Sequence, residues 1–329
     1  MRVVTAQDVA GKRVLLRLDF DVPIENGQIV EDFRLRAGLP TIRLCIENAK
    51  SVTLMGHIGR PKGEDSKLSV APIVNWLEDE FPGVTLPEGK LSILENLRFE
   101  EGEDECSMDF AKELFGFGDV FVNEAFASHH KSASVTVLPT LLPHFAGLNF
   151  AKEVETIKSL RQNPQKPLVS IIGGAKLDDK LPVVETLAKV SDAVIVGGKL
   201  PYEIKVKNMN LPSNVLVSKM TTDGFDIDPQ VLESYKEIIK NAKQVVWAGP
   251  VGFYEEGHVF GIQTLAQAAI DSSAHLVIGG GDTVTALNKA GFLQKIIDLG
   301  QERAFVSTGG GAMLKLLVDG TLPSIEALN

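Results

Sequence analysis

Short, unbroken runs of β-branched and other apolar residues recur along this chain, and most of the later ones run straight into clustered glycines. The runs lie at 13–18, 51–55, 119–122, 167–172, 192–196, 214–217, 243–247 and 275–278, with a shorter one at 304–306. A strand with one wet face alternates apolar and polar residues, whereas an unbroken apolar run suits a parallel strand covered on both faces. Helical patterns lie between several runs. The clearest is DPQVLESYKEIIKNAK, where Asp228 can cap, Pro229 suits the first turn, and Val231, Leu232, Tyr235, Ile238 and Ile239 form one apolar stripe. Alternating strands and helices predict an α/β chain with parallel sheets.

At 329 residues the chain exceeds the usual ~100–200 of one domain, so two domains are expected. The boundary is placed between Pro139 and Pro167, where a Pro- and Gly-rich stretch precedes a predicted helix at 151–161. Such a helix is a stiffer connector than a Gly/Ser linker. A charged fraction of 23% against 44% apolar excludes wholesale disorder, and a net charge of −10 makes the chain a poor non-specific binder of nucleic acid or anionic membrane. Two distant cysteines, Cys45 and Cys106, suggest a reducing compartment. The absence of a signal-like N-terminus or a ~20-residue apolar run predicts a cytoplasmic protein.

Glycines just past parallel strands let a backbone approach a phosphate, and a helix N-terminus behind them offers free N–H donors. Gly173–Gly174, Gly197–Gly198, 279–281 and 309–311 all fit, and several in one half of the chain favour a nucleotide or phosphorylated ligand. Neither G-x-x-x-x-G-K-[ST] nor G-x-G-x-x-G occurs; the nearest stretch, Gly83 to Lys90, has the wrong spacing. Lys176 and Lys180 flank a predicted helix start, either as a cation pair awaiting an anion or as solvated lysines beside Asp178 and Asp179. Asp282 reads equally as a carboxylate for Mg²⁺ or as a helix N-cap. In the first half, Arg34, His57, Arg60, Arg98 and Lys131 sit at strand ends or turns, where separate cations could converge on one small anion. His129–His130 lacks a third spaced ligand for a metal, and His144, His258 and His275 receive no role.

The chain resembles the phosphoglycerate kinase family nearly end to end. The resemblance is carried, in order, by RLDFDVP at 17–23, HIGRP at 57–61, LENLRF at 94–99, VNEAF at 122–126, GGAK at 173–176 with Lys180, WAGPVG at 247–252 with Glu255, GGGDT at 279–283 and STGGGA at 307–312. It implies two Rossmann-like three-layer domains joined by a hinge helix. Residues 1–150 would hold 3-phosphoglycerate or 1,3-bisphosphoglycerate, residues 151–307 would hold ATP or ADP with Mg²⁺, and 308–329 would fold back on the first domain. Asp19, Asp21, Arg34, His57, Arg60, Arg98 and Lys131 would face the glycerate ligand. Gly173, Lys180, Gly198, Glu255, Gly280, Gly281, Asp282 and Thr283 would face the nucleotide, with Asp282 on the metal side. Arg34, Lys176 and Gly310, with the N–H groups of 307–312, would stabilise the phosphoryl in transit. The implied protein is a glycolytic monomer whose domains close to exclude water.

Four departures from the family pattern stand out. Asp21 replaces an Asn and sets a negative charge beside an anionic ligand, which weakens binding unless a cation pairs with it. Lys131 replaces an arginine and loses a two-pronged fork. Ala248 replaces the Asn of a Trp-Asn-Gly-Pro motif. Between Gly198 and Trp247 the chain is much shorter than the family, which predicts a shallow, less selective base pocket. Retention of Lys176, Lys180, Glu255 and Asp282 favours an active kinase. A paralogue that binds without turnover, or a kinase for another small acyl phosphate, is the competing expectation.

Overall fold

A computed structural model of the chain describes residues 1–83 and 90–329; the interior of the Gly83–Lys90 stretch lies outside the described residues. The chain divides into two compact units, one of Met1–Glu155 with Thr321–Asn329 and the other of Thr156–Gly320.

In the first unit, strands β1 (Arg13–Arg17), β4 (Ser51–Met55), β5 (Leu91–Ile93), β6 (Val120–Asn123) and β7 (His144–Ala146) form one sheet of order β5-β4-β1-β6-β7. Every pairing is parallel. Val14 and Leu16 pack on one face, against Ile42 and Ile73 of the Phe33–Asn48 and Ala71–Glu80 helices. Leu15 and Phe121, on the opposite face, are equally buried. Burial on both faces is why these runs do not alternate, and each such side chain stabilises the fold by roughly 1.5–3 kcal/mol. A small hairpin, β2 (Ile24–Glu25) and β3 (Gln28–Ile29), turns at Asn26–Gly27 with φ of 50° and 76°. Residues 321–329 return to this unit and bury Leu322, Ile325 and Leu328, and the Met1 ammonium donates to Asn329 Oδ1 at 2.8 Å. Residues 308–320, expected to join this tail, cluster instead with the second unit.

The second unit carries β8 (Leu168–Ile172), β9 (Ala193–Val196), β10 (Val215–Val217), β11 (Gln244–Ala248), β12 (His275–Gly279) and β13 (Ala304–Val306), ordered β10-β9-β8-β11-β12-β13 and parallel throughout. The Pro229–Lys240 helix starts where expected, with the Asp228 side chain accepting from Gln230 N at 2.9 Å, and it buries Leu232, Tyr235 and Ile239. The Leu148–Gln162 helix carries the chain from one unit into the next. Its start is held by Glu124, at the end of β6, which accepts from Asn149 N at 3.0 Å, Phe150 N at 2.8 Å and Thr41 Oγ1 at 2.6 Å. Burial pushes the Glu124 carboxyl up to about 8, against the pull of those hydrogen bonds. Cys45 and Cys106 are both free. Among the described residues, no helix is long and apolar enough to cross a membrane.

Candidate active site

In an open parallel sheet the carboxyl ends of the strands share one edge, and the crevice lies where successive connections part to opposite sides. In the first unit that point falls between β1 and β6. Asp19, two residues past β1, spans it by accepting from Ala127 N at 2.8 Å and Ser128 Oγ at 2.7 Å on the loop after β6. The loop after β4 is pinned from three sides. Gly59 N donates to Asp21 Oδ1 at 3.0 Å, and Arg98 Nη1 donates to Gly59 O at 2.8 Å. Asn96 donates to Ile58 O at 2.8 Å and accepts from Ile58 N at 3.2 Å. Arg34, in the first turn of the Phe33–Asn48 helix, donates to Asp21 O.

His57 sits at the centre. Burial first, then the charges of Arg17, Arg98, Arg34 and Arg60, hold its imidazole down at about 2. Three of the expected cations thus gather round one uncharged ring, and so does a fourth, Arg17. Lys131 lies exposed in the loop after β6. The Asp21 carboxylate accepts from the Gly59 amide. Arg17, Asn96, Glu103 and Ser134 received no role from the sequence; only Arg17 and Asn96 lie in its motifs.

In the second unit the switch point falls between β8 and β11, and backbone meets backbone there. Gly173 N donates to Ala248 O at 3.0 Å, Gly174 N to Pro250 O at 2.9 Å and Gly198 N to Val251 O at 2.9 Å. A Cβ on Gly173 would collide with Pro250 O, and one on Gly249 with Gly173 O. The amides of Gly173 and Gly198 are therefore spent inside the chain, and their glycines serve close approach. Thr283 is corrected likewise. Its side chain is buried, accepts from Gly249 N at 2.7 Å and donates to Gly279 O, so the hydroxyl is already engaged in tying loops together. Ser307 N donates to Ile278 O at 2.8 Å and Gly309 N to Ser307 Oγ at 3.2 Å, which removes both from the expected anion donors.

What remains open for an anion are the first-turn N–H groups of three helices, Leu177–Ala188, Gly281–Lys289 and Gly310–Asp319, which have no intrahelical partner. The last two start against each other, because a Cβ on Gly310 would strike Gly280 Cα. Lys176 occupies the N-cap position of the first and is exposed. Lys180 lies half-buried over Gly174; burial lowers its ammonium pKa while Asp282 and Asp179 oppose that. Gly280, at φ 106°, takes the N-cap position before Gly281, so Asp282 is not a cap but an exposed carboxylate in the first turn. Glu255 is exposed beside Tyr254, whose phenol is pushed up to about 12 by burial, with Glu255 and Asp282 adding to the effect.

A family model for phosphoglycerate kinase matches residues 4–219 and 200–320. The phosphoglycerate kinase of Chloroflexus aggregans is 36% identical over 394 aligned positions, covering 98% of this chain and 97% of that protein. That of Bdellovibrio bacteriovorus is 33% identical over 390, covering 98% and 95%. The solved phosphoglycerate kinase of Coxiella burnetii superposes with a TM-score of 0.81 at 30% identity, over 97% of this chain and 96% of that one. The chain belongs to the phosphoglycerate kinase family. Membership makes it a phosphotransferase, and a short one: 329 residues stand against alignments of some 394 positions. The family model matches in two segments that overlap at 200–219, inside the stretch where the shortening was expected.

In this phosphoglycerate kinase-like chain Ala248 packs with Ile172, Leu177 and Val196 in an apolar cluster, so the position makes no polar demand on its own unit. Among the described residues no group of three His, Cys, Asp or Glu side chains could hold a metal ion. The donor set fits Mg²⁺ that arrives on phosphate oxygens and takes one protein carboxylate, Asp282, which is the usual way this ion is held at nucleotide sites.

Proposed function

We propose that the chain catalyses reversible phosphoryl transfer between 1,3-bisphosphoglycerate and ADP, with the glycerate ligand on the first unit and the nucleotide on the second. The reading is carried by the cations at the first sheet's strand ends: Arg34 is fixed to Asp21 O and Arg98 to Gly59 O, and their charges, with that of Arg60, act on the buried His57 ring. That arrangement suits a small ligand bearing both carboxylate and phosphate. The second unit supports the other half, because helix N-termini and two lysines beside bare glycines suit a polyphosphate chain.

In the direction of ATP use, a carboxylate oxygen of 3-phosphoglycerate attacks the γ-phosphorus. The new O–P bond forms as the bond to the ADP oxygen breaks. The carboxylate is already ionised, so no general base is needed. Phosphoryl transfer asks the protein mainly for positioning and for positive charge about the equatorial oxygens. Groups of that kind are available on each unit: Arg34 on the first, and Lys176 with the first-turn amides behind Gly310 on the second. Mg²⁺ bound with the nucleotide and held by Asp282 would neutralise phosphate charge. Lys180 and the exposed Glu255 flank the nucleotide.

The shortened segment bears on base choice. Phe225 is 42% exposed, its ring 5.6 Å from Phe253 and 5.0 Å from His258, and the Lys199 ammonium lies 5.2 Å over the Phe253 ring. Flat aromatic faces stack on any base, which favours low base selectivity. The free cysteines suit a cytoplasmic enzyme, and a monomer is the working assembly.

The deciding experiment incubates the protein with ATP, Mg²⁺ and 3-phosphoglycerate and couples product to NADH oxidation. Turnover of about 1–100 per second is expected, and it should fall sharply in Lys176→Ala. Equal silence of both proteins would overturn the kinase reading and leave a binding paralogue.

A further inference from the structure

Arg17 closes β1 with its side chain 1% exposed, on the same edge as the cation cluster. A buried guanidinium is costly unless its N–H groups are engaged; among the described residues Nη1 has no partner, and the engagement falls to Nε and Nη2. Its Nε donates to Ser134 Oγ at 2.7 Å, and its Nη2 lies 3.6 Å from Glu103 Oε1. Ser134 donates its hydroxyl to Glu103 Oε1 at 2.6 Å and its amide to Glu103 Oε2 at 2.9 Å. A guanidinium only donates and a carboxylate only accepts, so every proton in this chain has one possible direction. Nη2 also lies 3.3 Å from His57 Nδ1. Two N–H groups cannot face each other at that distance, so Nδ1 must carry the lone pair.

From this we infer that Arg17, anchored by Ser134 and Glu103, is a positioning residue that locks His57 as the neutral Nε2–H tautomer and so presents a fixed, uncharged donor to an oxygen of the glycerate ligand. The four guanidiniums around the ring (Arg17, Arg34, Arg60 and Arg98) oppose a further positive charge there, in keeping with the depressed imidazole. A second-sphere partner commonly decides which ring nitrogen holds the proton. The inference rests on the glycerate ligand occupying the first unit, but the tautomer can be read without turnover.

The test is a long-range ¹H–¹⁵N spectrum of the full-length ¹⁵N-labelled protein from pH 5 to 8, with His57 assigned by its loss in His57→Gln. We expect the Nε2–H pattern with no titration across the range. An Nδ1–H pattern, or a midpoint near 6, would overturn the inference. In Arg17→Gln the two nitrogens should average or the ring should titrate, and KM for 3-phosphoglycerate should rise about tenfold at constant kcat and constant KM for ATP. Arg17→Lys, which still donates from that side, should recover part of the pattern. A KM change for both substrates with an unaltered His57 pattern would reduce Arg17 to a structural cation. Should both Arg17 variants fail to fold, Ser134→Ala removes the Nε anchor and keeps the charge pair. It should loosen the same pattern, and an unchanged spectrum there would count against the lock. Absence of turnover with the Nε2–H pattern intact would sink the kinase reading and leave the lock standing.

Discussion

The two sheet edges solve the same problem with opposite materials. Both belong to parallel sheets whose strand order turns about the first strand, β1 in one and β8 in the other. At the first edge the crevice is filled by side chains: Asp19 bridges it, and arginines crowd round His57. At the second edge side chains are kept out, and Gly173, Gly198 and Gly249 press backbone on backbone. A small ligand with charges at both ends needs forks aimed at each end. A polyphosphate with a flat base needs bare surface and helix termini. The topology fixes where a ligand can sit, and the residue type at the strand ends fixes which ligand it is.

The contrast can be broken most severely at Lys176. Lys176→Ala should lower kcat by about 10²–10³, the usual effect of deleting one donor to a developing charge. Its thermal midpoint should stay put, because the side chain is exposed. Next come the glycines. Gly173→Ala should cost about 3 kcal/mol in urea unfolding, since backbone lies where the methyl would go. Its counterpart across the comparison, Gly59→Ala, meets only the flexible Leu68 side chain at 3.1 Å and should cost about 1–2 kcal/mol, chiefly for φ of 64°. Equal costs would erase the distinction between a side-chain edge and a backbone edge.

Acid should unsettle the first edge. His57 is held far below its unfolded value of about 6.5, so below that pH the unfolded chain binds a proton that the folded one refuses. Stability should therefore fall as pH drops from 6.5, by about 1.4 kcal/mol per unit from this residue alone. His57→Gln should remove that slope when unfolding is compared at pH 7.5 and pH 5. Arg98→Lys should be milder, raising KM for 3-phosphoglycerate about tenfold while KM for ATP holds. Smallest of all is the base effect: dissociation constants for ATP and GTP should differ by less than about threefold, and a strong preference would contradict the stacking platform of Phe225 and Phe253.

Much of this was legible in advance, for reasons that can be traced. Runs such as 51–55 and 275–278 were readable as strands because covered parallel strands do not alternate, and Asp228–Pro229 announced its helix by capping chemistry. β5 and β7 escaped notice because three residues carry almost no periodicity, and β7 lies in a Pro- and Gly-rich stretch that reads as a boundary. The arginines were visible as strand-end charges. The Arg17–Ser134–Glu103 chain was not, since its members lie far apart in sequence and each alone looks like an ordinary surface residue. The glycines were found as places of close approach to a phosphate, but what they approach in the folded chain is the end of β11 and the loop after it, which already hold their amides. Spacing shows where a donor is; only the folded chain shows whether it is already taken.

The return of Thr321–Asn329 to the first unit has a consequence in time. Leu322, Ile325 and Leu328 are buried there, so the unit translated first is missing part of its interior until residues 321–329 have been made. The second unit, drawn from one uninterrupted stretch, has no such wait. A ribosome would thus release the earlier half of this enzyme unfinished and complete it last.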